Sequence, residues 1–150
     1  VLFMLLLPLF IHRFGIKLAL LVGMLAWALR YLLFAYGNNG DLAFMLFTGI
    51  ALHGICYDFF FVSGQIYTDA KASERFRSSA QGLITLATYG LGMLIGFWVA
   101  GQVTDHYAAT AGSHDWKSIW LFPAGFALAI FFCFSLAFKG REKVAVQTTV

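Results

Sequence analysis

Charge is what this 150-residue chain has least of: Asp, Glu, Lys and Arg together make up 11% of it. A water-soluble domain carries roughly 25%, so an ordinary soluble globule is excluded. Cysteine is scarce as well. Cys56 and Cys133 both fall in apolar stretches, without metal or redox spacing, which excludes a disulfide framework and leaves them as packing residues. There is no phosphate-binding glycine loop, no HExxH, and no serine or cysteine nucleophile with partners. Enzyme chemistry therefore has little support, an intramembrane enzyme ranking third and needing an unseen catalytic partner; ATP-driven transport has none within this chain, and no cofactor or metal is called for. The net charge of +3 does not point to nucleic acid, because the basic residues sit in short segments between apolar runs.

The chain opens inside an apolar run, VLFMLLLPLFI, with no initiator Met, basic leader or small-residue cleavage site. It does not read as a signal peptide. It reads as the last part of a helix whose beginning is missing, so the chain is expected to be a fragment.

What is present is apolar surface. Hydrophobic residues are 61% of the chain and the mean hydropathy is +0.80, the composition of an all-α polytopic membrane protein. A helical bundle is expected over 1–138. It comprises a half-span at 1–11 and full spans at 16–36, 42–66, 78–103 and 118–138, followed by a cytoplasmic tail at 139–150. The breaks are a basic loop at 12–17, the turn cluster GNNG, and the polar segments YTDAKASERFR and TDHYAATAGSHDWK. Arg13, Lys17, Lys71, Arg75, Arg77, Lys139, Arg141 and Lys143 fall on one side, against Lys117 alone on the other. The positive-inside rule makes the first side, and the C-terminus, cytoplasmic.

The span 42–66 would cover about 37 Å as a helix against about 30 Å of hydrocarbon. It nevertheless carries His53, Tyr57, Asp58 and Gln65. A carboxylate near a bilayer centre costs roughly 2.5–3.5 kcal/mol on insertion scales, so it marks a cavity, a partner or a solute. At about 100° per residue, His53, Tyr57, Asp58, Phe61 and Gln65 fit within an arc of about 140°, one face mixing aromatic surface with hydrogen-bonding groups. Such a face could stack a flat solute, or could be an interhelical network with no ligand. Asp58 is the only acidic residue in a complete span, hence a candidate proton carrier; His53 could share that task or merely pack. In the next span Ser78, Gln81, Thr85, Thr88, Gly92 and Gly96 form a narrow stripe. Its glycine end, a GxxxG match, suits a packing face, whereas Gln81 and Thr85 could border a solute path or gate. Gly82, Gly90 and Gly101 suggest a helix that bends. Arg30, in the outer half of 16–36, could snorkel to the outer interface or pair across helices, snorkelling being the favoured reading.

At HGICYDFFFVSGQIYTD, followed by RSSAQGL, the chain resembles the nucleoside–proton symporter family of the major facilitator superfamily. The likeness covers nearly the whole chain, as the end of helix 8 through helix 12 and the tail. It implies an alternating-access transporter importing nucleosides with protons across a bacterial inner membrane. It also implies a substrate site to which this chain gives His53, Tyr57 and Asp58. Tyr57 keeps the aromatic ring common in the family there, and His53 departs from the aromatic pattern. The expected partners are a nucleoside, protons, the lipid bilayer and the missing N-terminal helices of the same chain. The alternatives are a major facilitator carrying a sugar or other small metabolite and, ranked below it, a membrane scaffold that transports nothing.

Overall fold

The computed structural model describes residues 2–108 and 113–138. These residues form five helical rods and no strand: α1 Leu2–Phe14, α2 Ile16–Tyr36, α3 Ala43–Lys71, α4 Glu74–His106 and α5 Trp116–Ala137. The last four are long and apolar enough to cross a membrane. The basic residues Lys139, Arg141 and Lys143, and the whole tail 139–150, lie outside the described residues. So do residues 109–112 of the second polar loop.

Two breaks are tighter than the sequence suggests. The basic loop expected at 12–17 shrinks to Gly15, whose φ of 84° is open to glycine at little cost. Its N–H bonds the Ile11 carbonyl at 2.8 Å, closing α1, and α2 starts at the next residue. The polar segment 67–77 is largely helical. Thr68 returns its hydroxyl to the Gly64 carbonyl at 2.9 Å and accepts the Ala72 N–H at 3.0 Å. Only Ala72 and Ser73 are extended, so α3 and α4 run past the expected limits of 66 and 78. A rod of 29 residues is about 43 Å long, more than the hydrocarbon needs.

The starts of α3 and α5 are set by side-chain oxygens. Asn38 Oδ1 accepts the N–H groups of Gly40 and Leu42 at 2.9 and 3.1 Å, turning the chain into α3. Asp115 caps α5: one carboxylate oxygen takes the Ser118 N–H at 3.2 Å, the other the Ser118 hydroxyl at 2.6 Å. Those bonds, the hydroxyl first, hold the Asp115 carboxyl below the usual carboxylate range.

Packing centres on α2, which touches α1, α3 and α5. The core joins Leu7 and Ile11 of α1, Ile16, Ala19 and Leu20 of α2, and Phe59 of α3. At Gly23 the backbones of α2 and α3 meet, and a Cβ there would lie 2.8 Å from the Phe60 nitrogen. Small residues at a crossing allow such contact. Cys56 is fully buried, in keeping with a packing role, but Cys133 is exposed on α5, so that expectation fails for it. Among the described residues helix α5 packs mainly against α2.

Both central rods contain a π-helical segment, Tyr57–Val62 in α3 and Leu86–Gly92 in α4. Each inserts a wider turn, which shifts the faces of the residues that follow and often marks a functional site.

Candidate nucleoside-binding face

The π segment of α3 begins at Tyr57 and carries Tyr57, Asp58 and Phe61, with His53 one turn before it and Gln65 just after it. His53, Tyr57 and Phe61 form a row along α3, with ring centroids 6.2 and 5.3 Å apart. Phe61 stacks on Tyr89 of α4 at 5.4 Å and meets Trp27 of α2 edge-on at 6.1 Å. Tyr89 donates its hydroxyl proton to the Tyr57 oxygen at 2.7 Å. The two π segments are thus joined by a stacked pair and a hydrogen bond. The result is an aromatic wall shared by three helices, with phenolic oxygens at its edge and Tyr57 41% exposed.

Phe61 divides two clefts. One of about 300 Å³ lies between α2, α3 and α5, bordered by Trp27, Tyr31, Phe60, Phe61 and Phe126. The other, about 100 Å³, lies between α3 and α4, against Gln65, Thr88 and Tyr89. The larger is almost wholly apolar and by itself offers a polar solute little. The smaller adds an amide and hydroxyls.

Asp58 is not part of the wall. It is 8% exposed, against 41% for Tyr57. Among the described residues its carboxylate has no hydrogen-bond or ion-pair partner. The single arc expected for five residues is therefore split. A step of about 100° moves Asp58 off the Tyr57 line, towards the side where its neighbour Phe59 enters the core. The π turn begins at the same place and alters the spacing beyond it.

Gln65 meets α4 through its backbone: its carbonyl accepts the Gln81 side-chain N–H at 2.8 Å. Thr85 stays exposed, its carbonyl within 3.4 Å of the Thr88 hydroxyl. Below them Arg77 and Asp69 pair at 3.8 Å, tying the end of α3 to the start of α4. The glycine stripe of α4 has no cover among the described residues, and nothing lies within 4 Å of a Cβ at Gly82, Gly96 or Gly101.

Arg30 corrects the snorkelling expectation. Its guanidinium meets Nδ1 of His53 at 3.0 Å and lies 5.2 Å from the Phe34 ring centroid, turned towards the bundle. Trp27, Arg30 and Tyr89 are the members of this face that sequence reasoning did not assign to it. Arg30 was visible as an unexplained cation in an apolar span. Tyr89 stands beside Thr88 of the polar stripe, the one phenol in the middle of α4.

The family described as nucleoside H+ symporter matches residues 1–143. The chain belongs to that family. It is 36% identical to the nucleoside permease NupG of Escherichia coli over 142 residues, 94% of this chain and 34% of that protein. It is 37% identical to the xanthosine permease of the same organism, over 91% of this chain and 33% of that one. The crystal structure of nucleoside transporter NupG superposes with a TM-score of 0.85 at 35% identity, covering 93% of this chain and 35% of that chain. A NupG mutant with an aspartate changed to alanine gives 0.86. The chain thus spans about a third of the length of the curated relatives it matches. Its fold is a partial C-terminal bundle of a major facilitator superfamily transporter, and these relatives of the nucleoside H+ symporter family are permeases rather than enzymes. The chain is a multi-pass membrane protein.

Proposed function

We propose that the protein containing this chain carries nucleosides together with protons across a bacterial inner membrane, with its C-terminus in the cytoplasm. The observation that carries the reading is the juxtaposition on α3 of an exposed aromatic wall and a buried carboxylate that has no partner among the described residues. A nucleoside needs both kinds of group: a flat apolar face for the base and hydrogen-bonding edges for the base and ribose. Tyr57 supplies the ring, and its hydroxyl reaches the rim. His53 tunes the site from the turn above. Asp58 binds the ribose hydroxyls or takes up the coupled proton. A neutral acid crosses a low-dielectric state far more cheaply than a carboxylate, which ties proton uptake to the conformational step.

Phe61 and Gln65 line the path towards the cytoplasm, with Gln81 and Thr85 facing them from α4. The Gln81 to Gln65 bond and the Asp69–Arg77 pair are contacts that would open and close with the cycle. Eight basic residues on the cytoplasmic side against one outside support the orientation.

The test is uptake of labelled uridine by cells without their own nucleoside carriers, expressing the full-length protein, with and without a collapsed proton gradient. Gradient-dependent accumulation is expected, competed by other nucleosides and not by sugars. Asp58→Asn should abolish accumulation while leaving the protein in the membrane. Unchanged uptake and unchanged pH dependence in that variant would overturn the assignment of Asp58.

A further inference from the structure

We propose that Arg30 is a positioning residue that fixes the tautomer of His53, making it a permanent N–H donor of the binding face and removing it from proton carriage. Arg30 Nη1 and His53 Nδ1 are 3.0 Å apart. A guanidinium has donors only and stays protonated in proteins. Nδ1 must therefore be the acceptor, so the ring is neutral and its proton sits on Nε2. A doubly protonated ring would place two positive charges at contact distance.

The guanidinium is held in place from behind. It sits 5.2 Å from the Phe34 ring centroid, a cation–π contact. Phe34 in turn packs on Trp120 of α5 at 5.0 Å. It also fills the space left by Gly49, one turn before His53, where a Cβ would lie 2.6 Å from the Phe34 ring. Three helices thus fix one side chain. Around His53 the groups able to hold or exchange a proton are Arg30 on α2 and Tyr57 on its own helix. Among the described residues no carboxylate pairs with either Arg30 or His53. His53 itself is exposed at the start of the aromatic row, so the Nε2–H is offered where a ligand can meet it. It selects an acceptor, such as a nucleobase carbonyl or unprotonated ring nitrogen. That the acceptor belongs to a nucleoside rests on the transport reading above; the tautomer does not.

The experiment uses the full-length protein with nitrogen-15 histidine in lipid bilayers, at neutral pH, with His53 assigned by its loss in His53→Phe. The expected spectrum has a bare Nδ1 and a protonated Nε2. Arg30→Leu should lose the single tautomer, and Arg30→Lys, which keeps a donor, should restore it. A wild-type ring that is protonated at Nδ1, or a spectrum that Arg30→Leu leaves unchanged, overturns the proposal. If Arg30→Leu does not fold, the wild-type and Arg30→Lys spectra decide it. Uridine titration gives the second readout. Arg30→Leu should weaken binding about 5- to 30-fold when His53 is present, and leave His53→Phe unaffected. An equal loss in both backgrounds overturns the positioning role. Failure of the wild-type protein to bind uridine would instead remove the transport reading, and the nitrogen spectrum would still decide the tautomer.

Discussion

Helices α2 and α4 are both apolar rods of membrane-crossing length, yet they live in different surroundings. Among the described residues, 39% of the membrane-crossing window of α2 is buried, and none of that of α4. Their small residues behave accordingly. Gly23 of α2 sits against the α3 backbone, whereas Gly82, Gly96 and Gly101 of α4 face open space. Glycine in a membrane helix therefore marks a place where a backbone approach is allowed, not one where it happens. Hydropathy sees the bilayer equally well from both helices and cannot tell a lipid-facing side from one that meets another helix.

The sharpest way to break this contrast is to add one methyl group to each helix. Gly23→Ala should destabilise the full-length protein by about 1–3 kcal/mol, because the clash is with backbone atoms that cannot rotate away. Gly96→Ala should be neutral within about 0.5 kcal/mol. Thermal melting in detergent checks both, and a large loss at Gly96 would reveal a covering segment from elsewhere in the protein. Next in size is Tyr89→Phe, the one strong link from α4 to the wall on α3. Losing the bond to Tyr57 should weaken uridine binding about 2- to 10-fold, read by titration, and leave the stacked pair with Phe61 intact.

A smaller effect is expected where α4 is tied to α3 by an ion pair. Asp69 and Arg77 are 50% and 40% exposed, so Asp69→Asn should cost less than about 1 kcal/mol and matter less still at high salt. The cap of α5 gives the mildest signature. The Asp115 carboxyl titrates below its ordinary value because the Ser118 hydroxyl and N–H bond it. Its stabilisation is thus full above the unfolded Asp value, near 3.9, and lost as pH falls through the lower folded value. Ser118→Ala should shrink the difference in melting temperature between neutral and acid pH.

The membrane class, the number of full spans and the family were legible from composition, hydropathy period and the residues around Asp58. The expected loops were less so. The segment 67–77 reads as polar and therefore as linker, but polar residues continue a helix readily once it leaves the bilayer. The candidate site was half legible. His53, Tyr57 and Phe61 do line up, since a spacing of four keeps residues on one side of a helix. Asp58 does not join them, because one residue is a third of a turn and a π segment starts there.

Taken alone, the sequence determined what the chain must do with water: four apolar runs have to leave it, and the basic residues have to stay behind on one side. Those are transfer energies of single residues, and they add up locally. Which face of α4 remains bare, that Arg30 turns inward to His53, and that Tyr89 reaches Tyr57 were decided only in three dimensions. Each depends on the distance between residues 23 to 32 positions apart. No local preference sets such a distance, only the way whole helices settle against one another.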